Sequence, residues 1–122
     1  MSTERSKRGP REIVRHARDH VVRIRRWTVG LDMEGYLADE RTQYACERAF
    51  IALGEALKDL SVKVDLEALL PGGPWIDPVR FRNFLAHEYD DRVMPPLVWR
   101  TITIDLPELD AALELIESKL RD

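Results

Sequence analysis

Apolar positions recur at helical spacing along most of the chain. Ile13, Ala17, Val21, Ile24 and Thr28 follow one another at intervals of four, four, three and four, and Val14 and Trp27 widen the stripe. That pattern predicts a helix from about Arg11 to Thr28. Pro10 suits its first turn, and Gly30 and Asp32 punctuate its end. A second broad face, formed by Leu37, Tyr44, Ala45, Ala49, Ala52, Leu53, Ala56, Leu57 and Leu60, predicts a helix from about Met33 to Leu60. Gly35 and Gly54 fall inside it. An interior glycine costs about 1 kcal/mol relative to alanine, so Gly54 is read as a close contact or a kink. Ser61 to Leu70 fits a short helical turn with Asp65 as its cap, and Pro71-Gly72-Gly73-Pro74 is the clearest break in the chain. Asp77-Pro78 opens a third main helix that continues to about Tyr89. After Pro95-Pro96 comes a short segment from Leu97 to Thr103. The last helix is predicted to start at Asp105, with Glu108 completing a capping-box-like pair, and carries Leu106, Leu109, Leu113, Ile116 and Leu120 as a core stripe. Strand-like alternation is confined to Thr101-Ile102-Thr103-Ile104. The expected fold is all-α, a helical bundle of four main helices plus short ones.

Composition narrows the class. A chain of 122 residues suits one domain, here expected over residues 10–122 behind a disordered basic tail over residues 1–9. With 44% apolar and 34% charged residues, the balance is that of a globular protein with a modest core. No apolar run approaches the roughly 20 residues a bilayer requires, so no membrane association is expected. The basic N-terminus lacks the apolar stretch of a secretory signal. Cys46 is the sole cysteine, which excludes an internal disulfide and suits a reducing cytoplasm. Cys46 itself reads as a small buried apolar residue, and Trp27, Trp75 and Trp99 read as packing anchors. The net charge of −3 hides a split, because residues 1–30 hold nine Lys/Arg against three Asp/Glu and the remainder is acidic. A basic first helix fits either a phosphate-bearing partner or acidic neighbours within the fold.

Two groups of residues are candidates for chemistry. His16 and His20 stand four apart, a metal-ligand spacing, but no further His or Cys completes a set; they read as polar surface positions, and no metal or cofactor is expected. The segment Phe81-Arg82-Asn83-Phe84-Leu85-Ala86-His87-Glu88-Tyr89-Asp90 is richer. At about 100° per residue, a helix here gathers Phe81, Phe84 and Leu85 on one face and Arg82, Asn83, His87 and Asp90 on the other. An arginine can hold a phosphate and offset transition-state charge, and a histidine can move a proton near neutrality. Arg82 and His87 diverge by about 140° on one helix, so one copy makes a poor pincer. Two copies facing across a two-fold axis would make a composite cleft.

Arg82-Asn83-Phe84-Leu85-Ala86-His87-Glu88-Tyr89 resembles the Arg-x4-His-x-Tyr signature of HepT-like proteins in the HEPN superfamily. The segment Ala49 to Ala56, with its Gly-Glu-Ala, resembles the second helix of that family. Val98-Trp99 and Asp105-Leu106-Pro107-Glu108-Leu109 resemble its C-terminal portion, so the resemblance spans about residues 11–121. It implies a HEPN-like helical homodimer with motif helices facing across the two-fold, and a metal-independent endoribonuclease toxin. His87 would act on the ribose 2′-OH, Arg82 would hold the scissile phosphate, and Asn83 would position substrate or His87. RNA would be cut to a 2′,3′-cyclic phosphate. The usual partner of such proteins is an MNT-type nucleotidyltransferase antitoxin, which in the HepT systems adds AMP to the motif tyrosine, here Tyr89.

This chain departs from the pattern before the motif, where many relatives carry a glycine and it has Val79-Arg80-Phe81. On the wheel Arg80 lies close to His87 and would add positive charge for substrate binding. Glu88, Asp90 and Asp91 make the motif's end acidic. The rival reading is a non-catalytic HEPN subunit that docks a nucleotidyltransferase or binds a nucleotide at the dimer cleft. A metalloenzyme built on His16 and His20 ranks last.

Overall fold

The computed structural model describes residues 8–75 and 94–120. The first helix, α1 (Pro10–Thr28), starts where the sequence predicts, with Pro10 in the first turn and Gly9 as an extended N-cap. Of the expected basic tail, residues 1–7 lie outside the described residues, and Arg8 pairs loosely with Glu12 at 3.9 Å. Ile13, Val14, Ala17, Val21, Ile24 and Thr28 are buried. Thr28 closes the stripe by donating its hydroxyl to the Ile24 carbonyl at 2.8 Å. Gly30, at φ +82, makes the turn that follows, a conformation that L side chains disfavour.

The single helix expected from Met33 to Leu60 is two. A five-residue α2 (Met33–Leu37) is capped by Asp32, whose carboxylate accepts the Gly35 N–H at 2.7 Å. A 24-residue α3 (Glu40–Lys63) is capped by Asp39, which accepts both the Thr42 N–H (3.0 Å) and the Thr42 hydroxyl (2.7 Å). The Gln43 amide donates to the Tyr36 and Leu37 carbonyls and so fixes the corner between the two helices. An Asp cap is worth about 1 kcal/mol, enough to favour a fresh start over continuation. The corner also breaks the helical phase. Leu37 and Tyr44, expected on the apolar face, are exposed, while Cys46, Ala49, Phe50, Leu53, Leu57 and Leu60 form the buried one. Burial pushes the Cys46 thiol up to about 12, which leaves it un-ionised and unreactive at neutral pH.

The Asp65 cap is present, holding the one-turn α4 (Leu66–Leu69) through the Ala68 N–H. The Pro71–Pro74 break contains Gly72 at φ +76, whose N–H donates to Glu67 at 2.7 Å. The helix expected from Asp77 to Tyr89 lies outside the described residues. After it, α5 (Pro95–Arg100) runs through a π-helical turn (Thr101–Asp105) directly into α6 (Leu106–Lys119). This corrects two expectations. Thr101–Ile104 is not strand-like, and although α6 begins at Leu106 with Asp105 in the N-cap position, as the sequence predicts, Asp105 is itself helical and its side chain makes no cap hydrogen bond. The cause is Pro107, which has no N–H to return to Thr103 and whose ring crowds that carbonyl. The chain widens by one residue per turn, and the Leu106 N–H reaches back to the Thr101 carbonyl.

The core forms along α1, which packs on α3 and on α6, with Leu106, Leu109, Leu113 and Ile116 supplying α6's share. The α2 and α5 helices close one end, and Tyr36 packs on Trp99 with ring centroids 5.2 Å apart. The Lys119 ammonium donates to the Leu69 carbonyl and ties α6 to α4. No strand occurs among the described residues, and no helix among them is long and apolar enough to cross a membrane.

Much of the basic character of α1 is answered inside the fold. Arg18 bridges Asp110 (3.2 Å) and Glu117 (3.1 Å) on α6, Arg15 reaches Glu117, and Arg25 reaches Asp110. For Glu117, partial burial favours the neutral acid, but the Arg18 and Arg15 hydrogen bonds outweigh it and hold the carboxyl below its ordinary value. A depressed folded-state value stabilises the protein above the unfolded value of about 4.5, and this is lost as pH falls through the folded value. Thermal unfolding between pH 7 and pH 3 should therefore show a smaller acid-induced drop in Tm for Glu117→Gln than for the wild type. Solvent screening keeps the difference within about 1 kcal/mol.

Candidate active site

Arg80, Arg82, Asn83, His87 and Tyr89 all lie outside the described residues. What is described is the frame on either side. The chain enters the segment from Trp75, which is 7% exposed and donates its indole N–H to the Leu70 carbonyl at 3.4 Å. The Trp75 ring lies against Gly73 so closely that a Cβ at that position would collide with it. Glycine at position 73 is thus required by packing. On the far side, the Met94 carbonyl accepts from Leu97 and Val98, and Val98 is fully buried. Trp75 and Val98 belong to one hydrophobic cluster, so both ends of the motif-bearing segment are anchored in the same core. Trp75 and Trp99 are packing anchors, as the sequence reading had them.

Trp27 is not. It is 39% exposed and lines a groove of about 360 Å³ between α1 and α3. His20, Arg23 and Trp27 form the α1 wall, and Arg48 stands on α3 opposite. Ala45, Ala49 and Ala52 make the floor, and their small side chains let the groove sink between the helices. The core stripe of α1 separates this wall from the arginines that pair with α6. The groove arginines find no carboxylate: among the described residues Arg23 meets only the His20 ring, at 3.5 Å, and Arg48 has no ion pair. Burial, then Arg23 and His16, hold the His20 imidazolium below its ordinary value; Arg48 adds to this and Asp19 opposes it.

Sequence reasoning placed His20 as a polar surface position and Trp27 in the core. The missed signal was the spacing of His20, Arg23 and Trp27, three and then four apart, facing a matching alanine row at 45, 49 and 52. No group of three or more His, Cys, Asp or Glu side chains placed to hold a metal ion occurs among the described residues, so His16 and His20 have no described third ligand.

An all-α core of packed helices, with the Arg82–Tyr89 segment falling in sequence between two core anchors, defines a small helical-bundle protein. The family described as "Ribonuclease HepT-like" matches residues 17–116, and the chain belongs to this HepT-like family of the HEPN-type helical fold. It is 32% identical over 111 residues to the "Probable ribonuclease HepT" of Thermococcus cleftensis, covering 88% of this chain and 96% of that one. It is 27% identical over 90 residues to the "Putative RNase MJ1380" of Methanocaldococcus jannaschii, covering 74% and 80%. No solved structure matches the chain.

Proposed function

We propose that this protein is a metal-independent endoribonuclease that acts as the toxin of a toxin–antitoxin pair in the cytoplasm. The observation that carries the reading is the family match over residues 17–116, which takes in the whole Arg82–Tyr89 motif. In this reading two copies pair with their motif segments facing. The Arg82 guanidinium holds the non-bridging oxygens of the scissile phosphate and offsets charge as the phosphorane forms. His87 takes the 2′-OH proton, the 2′ oxygen bonds to phosphorus, and the P–O5′ bond breaks. The departing 5′ oxygen takes a proton from the His87 imidazolium so formed, leaving a 2′,3′-cyclic phosphate and a 5′-OH. Asn83 positions substrate or the His87 ring, and Arg80 adds positive charge beside it.

The nucleophile comes from the substrate, so DNA, which lacks the 2′-OH, is spared. The antitoxin is an MNT-type nucleotidyltransferase that moves AMP from ATP to the Tyr89 oxygen, releasing pyrophosphate. A bulky anion at the cleft edge then blocks RNA by size and charge. Total RNA incubated with unmodified protein in EDTA should be cut, with cyclic phosphate ends detectable by their resistance to 3′ ligation until opened and dephosphorylated. Matched single-stranded DNA should stay intact. RNA left whole by folded, dimeric, unmodified protein would favour the docking-subunit reading.

A further inference from the structure

We infer that the groove between α1 and α3 is a binding site for single-stranded RNA, with Trp27 stacking a base and Arg23 and Arg48 holding the flanking phosphates. The choice of RNA as the polyanion rests on the ribonuclease reading; the site itself rests on the described geometry. Three observations converge on it. Arg15, Arg18 and Arg25 are occupied by Asp110 and Glu117, whereas Arg23 and Arg48, on facing helices, meet no carboxylate among the described residues. The protein carries a net charge of −3, so attraction for a polyanion must be local, and this groove is a place where unanswered positive charge gathers. Trp27 exposes part of its ring beside those arginines, above an alanine floor that leaves room for a flat ring. Cationic walls with an aromatic face are the elements by which proteins hold single strands without reading sequence. An acidic peptide would use the arginines and leave the indole idle. A duplex would present no free base to it.

The test uses the full chain with His87→Ala, so that RNA is not consumed, and a 5′-fluorescein-labelled twelve-nucleotide uridine RNA followed by fluorescence anisotropy. Adding Trp27→Ala should weaken binding about tenfold, and Trp27→Phe should restore most of the loss. Adding Arg23→Gln and Arg48→Gln together should lower the slope of log K against log salt by about 1.4, since each single-strand phosphate contact contributes about 0.7. Arg100→Gln, exposed on α5 and not part of the groove lining, should change neither. Circular dichroism and sedimentation confirm that each variant keeps its helicity and mass. If the parent binds the RNA and the groove variants bind equally well with the same salt slope, the groove site is wrong while the ribonuclease reading stands. A parent that fails to bind RNA at all sinks both. Groove variants that lose affinity only because they change oligomeric mass would make this face a subunit interface and overturn the proposal. Loss of binding at constant mass upholds it, even in a protein found not to cleave.

Discussion

His87→Ala is expected to reduce RNA cleavage at least about a thousandfold in EDTA, with helicity and dimer mass unchanged. General acid–base catalysis contributes about 10² to 10⁴, and in this reaction one type of group serves both the 2′-OH and the leaving oxygen. The loss should therefore sit toward the upper end of that range. Arg82→Ala should cost comparably, because a guanidinium aimed at a developing phosphorane is worth most where water is excluded. Its signature differs. Arg82→Lys should recover part of the activity through charge alone, whereas no common side chain replaces an imidazole that gives and takes a proton at neutral pH. Single-turnover cleavage of one labelled RNA, wild type beside the three variants, measures all of this. A His87→Ala protein that still cuts at more than a tenth of the wild-type rate would remove His87 from the chemistry. An unchanged RNA pattern together with weakened partner binding would favour the docking subunit.

The parts of the fold legible in the sequence are those governed by local physics. Pro10 and the Ile13–Thr28 stripe marked α1, Asp65 marked its short helix, and the leucine stripe marked the buried face of α6, because caps and 3.6-residue periodicity act within a few residues. The misreadings arise where two local signals compete. Apolar residues on both sides of Asp39 suggested one helix, but the Asp39 and Gln43 hydrogen bonds end one and begin the next. The Asp105–Glu108 pair resembled a start, yet the chain was already helical, and Pro107 made a π turn instead of an end. The basic face of α1 was ambiguous for a different reason. Its partners Asp110 and Glu117 lie 85 to 102 residues away, and no pattern within the helix announces them. Sequence alone therefore could not separate the arginines spent on α6 from those left in the groove. For the candidate site the order is reversed. Arg82, Asn83, His87 and Tyr89 are legible as a motif, while their geometry lies outside the described residues.

The second large effect concerns how the site is divided between copies. On an ideal helix Arg82 and His87 would point about 140° apart, too far to grip one phosphate from both sides. A two-fold pairing of the motif segments would bring Arg82 of one copy toward His87 of the other. If each cutting unit is built that way, Arg82→Ala and His87→Ala dimers are each nearly inactive, but a mixed dimer carrying one defect in each copy holds one intact unit. The other unit then has both defects. Co-expressed with two affinity tags and purified through both, the mixed dimer should cut RNA at about half the wild-type rate, several hundredfold above either parent. If Arg82 and His87 of the same copy form the unit, both units are broken and the mixed dimer stays as inactive as its parents. Sedimentation of the mixed preparation guards against exchange back to parental dimers, and a monomeric mass for active wild-type protein would rule out the shared site altogether. The experiment reads the division of labour from activity alone. It also separates a catalytic two-fold from a pairing that only presents Tyr89 to the antitoxin, because the latter predicts no complementation of cleavage between the two defects.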